Sequence, residues 1–169
     1  MYFLGLQWRI EMADIALYIQ KSHKLTDIFG YWPSFHDAEV IDLHLWRGNV
    51  DPEKNQYVFP VLIVTLHVWE LAEQANESGH LVKRHHTLTT LRFQDVDAFS
   101  MAGFDHQNEI FELLIERRER SDGPSPFFFV ELKPASDMSA SFRCLRVEVA
   151  EAEQCSTEGR PAPTPSAKA

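Results

Sequence analysis

The sequence has little that would assign it a chemistry at once. It holds 2 cysteines, Cys144 and Cys155, in 169 residues. That is too few for a disulfide framework, and a reducing cytoplasm is the expected setting. No hydrophobic run reaches the roughly 20 residues that cross a bilayer, so no membrane partner is expected. The stretch from Met1 to Leu6 has no basic residue, and Arg9 and Glu11 soon break its apolar run, which argues against a cleaved secretory signal. Basic side chains are the minority, 16 against 25 acidic, for a formal charge of -9. Such a surface repels a phosphate backbone, so no nucleic acid partner is expected. The acidity is spread along the chain, where it serves solubility and would speed encounter with a basic partner. There is no Walker-type loop, no Gly-x-Ser-x-Gly elbow, no His-Glu-x-x-His helix and no Cys-x-x-Cys pair, hence no catalytic residue or cofactor to name.

What is present reads as one folded domain. Hydrophobic residues make up 44% and charged residues 24%, the mixture of a globular protein. Ile10, Ala13, Ala16, Leu17 and Ile19 form an imperfect helical stripe. A second helical turn is expected from Leu25 to Phe29, closed by Gly30 in the left-handed region. Pro33 stops any continuation. Period-two patterning follows: Ile41, Leu43 and Leu45; residues 58–69, apolar on both faces and so a central strand; residues 87–93; residues 110–116; residues 127–132; and residues 142–149. In the last strand the apolar parity changes after Cys144, the mark of a bulge or of a strand serving two faces. Residues 73–80 read as a polar loop, and Ser121-Asp122-Gly123-Pro124 as a turn.

The expected fold is therefore α+β: an antiparallel β-sheet or sandwich of about six strands with N-terminal helical cover. Residues 1–149 form the domain. Residues 150–169, which lack every large apolar residue, form a flexible Pro/Ala/Ser-rich tail.

Histidines are the one unusual inventory, 8 in all. The densest cluster is Trp32-Pro33-Ser34-Phe35-His36-Asp37-Ala38-Glu39. His36, Asp37 and Glu39 would suit a metal or acid–base site, with Asp37 and Glu39 sharing a strand face. The structural reading is favoured: His36 and Asp37 bond free backbone groups at a corner, with Trp32 and Phe35 as buried anchors. His85 and His86 point to opposite faces of a strand, whereas His44 and His67 are candidate cross-strand neighbours. Cys144 reads as buried and inert. The segment Gly103-Phe104-Asp105-His106-Gln107-Asn108-Glu109 is either a loop capping strand ends or a recognition loop built on Asp105, His106, Gln107 and Asn108.

Three segments together carry a family likeness: Ile28-Phe29-Gly30-Tyr31-Trp32-Pro33-Ser34-Phe35-His36-Asp37-Ala38-Glu39-Val40, then Gly103-Phe104-Asp105-His106-Gln107-Asn108, then a terminal strand around Phe142-x-Cys144. In them the chain resembles the immunity protein 50 family of bacterial polymorphic-toxin systems, over about residues 25–149. The resemblance implies a small cytoplasmic protein that neutralises a toxin by binding it and performs no catalysis. A non-enzymatic binding protein with a protein partner is thus the leading expectation. The alternatives are a metal-dependent or acid–base enzyme built on His36, Asp37 and Glu39, and a self-associating structural β-protein. The sequence leaves oligomeric state open.

Overall fold

The computed structural model describes residues 15–75, 77–121 and 123–161. Its described part is sheet-rich, with ten strands where about six are expected, and only a little helix. Of the expected helical stripe over residues 10–21, residues 10–14 lie outside the described residues. From 15 to 21 the chain forms only a 3-10 turn at Ala16–Tyr18 and then runs extended, with Gln20 bridged to Glu148 instead of continuing a helix. The second helical segment forms as α1, His23–Phe29, with Gly30 at φ 80 closing it and donating to Thr26 O. Leu25 and Phe29 are its buried residues.

Two four-stranded antiparallel sheets make the body. The first is ordered β1 (Glu39–Trp46), β4 (Val61–Ala75), β5 (Leu81–Gln94) and β10 (Arg146–Gln154). The second is ordered β6 (Asp97–Ala102), β9 (Ser139–Cys144), β8 (Phe127–Pro134) and β7 (Ile110–Arg118). Alternate residues of both turn inward, as period-two patterning requires. Leu62, Val64, Leu66 and Val68 of β4, with Leu91 and Phe93 of β5, share one buried cluster with Val130, Leu132, Phe142 and Cys144 of the second sheet. The Phe93 and Phe142 rings meet edge to face at 4.9 Å between centroids.

The sheets are continuous at one corner. β5 turns into β6 through Asp95 and Val96, and β9 into β10 through Leu145, whose N–H donates to Gln94 O at 3.0 Å. The parity change after Cys144 marks this switch from one sheet to the other. At the opposite side β1 and β7 are tied by a bridge between Glu39 and Glu109.

Four features depart from expectation. β6 forms a strand of its own beyond the corner, where no separate strand is expected. A short hairpin, β2 (Asn49–Asp51) with β3 (Gln56–Val58), is inserted before β4. The polar loop begins later than expected, because β4 runs to Ala75. The last strand passes the expected domain end at Val149 and reaches Gln154, pairing Glu151 to Gln154 with Thr90 to Thr87. Backbone hydrogen bonds need no apolar side chain, so a strand of Glu and Ala can extend a ladder that burial alone would not support. Residues 155–161 then turn back, with Cys155 and Pro161 in an isolated bridge. Among the described residues no helix is long and apolar enough to cross a membrane.

Candidate functional site

The segment between α1 and β1 turns on two buried rings. Trp32 and Phe35 are buried, 5.6 Å apart between centroids, so the expected anchors are in place. Phe35 and Asp37 both have positive φ, 57 and 60. A bulky non-glycine residue held there is strained, and such strain persists only where the surroundings enforce it. The turn closes by Ala38 N–H donating to Phe35 O at 3.1 Å, with Ala38 fully buried beneath it.

The loop from Gly103 to Glu109 is organised by Asn108. Asp105 N–H donates to Asn108 Oδ1 at 2.8 Å, while Asn108 Nδ2 donates to Asp105 O at 2.8 Å and to Val40 O at 3.4 Å. Asp105 Oδ1 accepts from Gln107 N–H at 2.7 Å. Gly103 has φ 71, and a Cβ there would lie 2.0 Å from Asp137 O. Only glycine fits.

These two segments, almost seventy residues apart in sequence, are joined main chain to main chain. Val40 N–H donates to Asn108 O at 3.0 Å, and Ile110 N–H to Ala38 O at 2.9 Å. Of the loop residues, Asn108 is buried and holds the joint, whereas His106 faces solvent with 91% of its side chain exposed. The capping role thus falls to Asn108 and Asp105.

His36 and Asp37 do not serve the backbone as expected. Their side chains lie against each other, His36 Nδ1 3.0 Å from Asp37 Oδ2, and are 52% and 47% exposed. The His36 N–H instead donates to Ser34 Oγ at 3.3 Å. The His36 ring stands edge-on to Phe111, 4.8 Å between centroids, and Phe111 is itself 52% exposed. Beside the pair a cleft of about 210 Å³ is lined by Tyr31, Pro33, Ser34, Trp69, Glu70 and Leu71 together with His36 and Asp37. Glu70 forms its far wall, bonded by Tyr31 Oη, Arg84 Nε at 2.7 Å and His85 Nε2 at 3.3 Å.

A three-ligand centre on this segment is not built. Glu39 belongs to β1, opposite His67 and bridged to Glu109. Among the described residues no three His, Cys, Asp or Glu side chains are placed to hold one metal ion. The expected His44–His67 pair does not form either: His44 stands opposite Ile63. His67 Nε2 lies 3.0 Å from His86 Nδ1 instead. The sequence signal for that pair is weak, since a bulge between Val68 and Glu70, with His85 at φ 54, sets the register. Cys144 is buried, which pushes its thiol up to about 12 and leaves it inert.

The family model for immunity protein 50 matches residues 21–154, spanning both joined segments and the Phe142-x-Cys144 strand. The chain belongs to the immunity protein 50 family. Searches of curated proteins and of solved structures find no match. The family segment divides cleanly by burial: Trp32, Phe35 and Ala38 fill the core, while His36 and Asp37 stand outside it.

Proposed function

We propose that this immunity protein 50 family member neutralises a toxin by binding it, without catalysis, through the face where the corner and the 103–110 loop join. One observation carries the choice of face. His36 and Asp37 are half exposed, meet each other and the edge of Phe111 but no backbone group, and are directed outward by a turn with positive φ at Phe35 and Asp37. Exposed Phe104 on the loop and exposed Phe111 at the start of β7, against the His36 ring, supply the apolar contact that protein interfaces concentrate in a few residues. The charge of -9 favours a basic partner and quickens encounter with it. The test starts from the neighbouring gene, which on this reading encodes a toxin-domain protein, and co-expresses the two. The expected outcome is restored growth and a complex that survives size-exclusion chromatography. Continued toxicity with no complex would reject the reading.

A further inference from the structure

We propose that the C-terminal turn is a proton-sensitive latch, held on the outer face of the first sheet by the neutral His67–His86 pair and released when that pair takes up a proton. The latch is a built feature. Cys155 N–H donates to His86 O at 2.9 Å, extending the β5–β10 ladder by one residue. The turn then closes on itself: Gly159 N–H donates to Ser156 O at 3.0 Å, and Arg160 N–H to Ser156 Oγ at 3.1 Å. Gly159, at φ 69, rests directly on the His67 ring, where an added Cβ would lie 2.8 Å from Nδ1. Beneath it His67 is buried, edge-on to Trp69 at 4.9 Å between centroids and hydrogen-bonded to His86.

The neutral pair suits this place and a cation does not. With His86 Nδ1–H donating to His67 Nε2, the buried and unpartnered His86 Nε2 is a bare lone pair. Protonating His86 puts an orphan N–H there, and protonating His67 puts a charge beneath the glycine, away from water. The groups facing the pair are mixed in sign. Lys83 Nζ stands 3.9 Å over the Trp69 ring. Glu39 on β1 and, beyond Leu88, Glu153 on β10 share the cross-strand row of His67. In the turn Glu158 and Arg160 pair at 3.4 Å. Burial, with the charges of His86 and Lys83, holds His67 down at about 4, and burial lowers His86 as well.

The sign follows from that depression. In the opened form the burial beneath the turn is relieved while His86 and Lys83 stay in place, so His67 rises towards its ordinary 6.5; closure is fully favoured above that pH and weakens as pH falls towards about 4. Trp69, edge-on to His67, also lines the cleft beside His36 and Asp37.

Hydrogen exchange of the Cys155 amide in the full chain, corrected for its intrinsic rate, reads the latch. Between pH 7 and pH 5 its protection should fall several-fold for His67 alone, up to on the order of 20-fold if release restored the whole interval from about 4 to 6.5. His67→Phe with His86→Phe should keep protection and abolish its pH dependence. Should that double variant not fold, the wild-type ring of His67, followed by NMR, must titrate together with the loss of Cys155 protection. Equal wild-type protection at both pH values overturns the proposal. So does a double variant that loses protection as the wild type does, or a His67 titration that leaves Cys155 protected.

Discussion

Asp37 and Trp32 sit five positions apart in one segment and carry opposite expectations. Trp32 is buried against Phe35, so Trp32→Ala should cost about 3–5 kcal/mol and lower the melting temperature sharply. Asp37 is half exposed and its side chain meets only His36, so Asp37→Ala should cost no more than about 1 kcal/mol, the share an alanine loses at a positive φ that aspartate tolerates. Thermal melts of the two variants check both. A large loss for Asp37→Ala would return it to the structural role that the sequence suggests. The anchors were legible because Trp and Phe beside a proline have few places to go but the core. The direction of His36 and Asp37 was not, because it depends on positive φ at Phe35 and Asp37, which non-glycine residues rarely adopt. Gly103 shows the contrary case, since its residue type announces the close approach that the loop requires.

Among elements, the strands with inward apolar alternation were readable from the pattern, and those held by backbone pairing alone were not. β4 and the inner face of β5 follow their hydrophobic periods closely. The parity change after Cys144 was visible, and its cause is the passage of the chain from β9 to β10 across the sheet corner. β2 and β3, three residues each with exposed side chains, left no periodic trace. The end of β10 was hidden for the same reason: Glu151 to Gln154 pair with β5 although little of them is apolar. Truncation after Val149 therefore removes ladder bonds to Thr87–Thr90 and the turn over His67, and should lower the melting temperature by several degrees. Truncation after Pro161 is the comparison. Equal melting temperatures for the two truncated chains would show that the end of β10 adds no stability.

At the scale of the whole molecule, the closed double sheet presents two candidate faces. One is the corner with its 103–110 loop. The other is the apolar tip formed by Trp46, Val50, Tyr57, Val58 and Phe59, beside a groove of about 390 Å³ that His44 and Arg92 help to line. Exposed apolar area of this kind often marks contact surfaces, so the tip is the proper control for the corner. The most direct test is the dissociation constant for the toxin-domain protein of the neighbouring gene, measured by calorimetry with melting temperatures taken on the same samples. The corner account predicts that Asp37→Ala combined with Phe111→Ala weakens binding at least about tenfold, the scale of a lost interface anchor, in a chain that still melts cooperatively well above the assay temperature. It predicts that Tyr57→Ala leaves binding as it was. Full affinity in the corner variant, with loss in Tyr57→Ala, would contradict the account and move the interface to the tip.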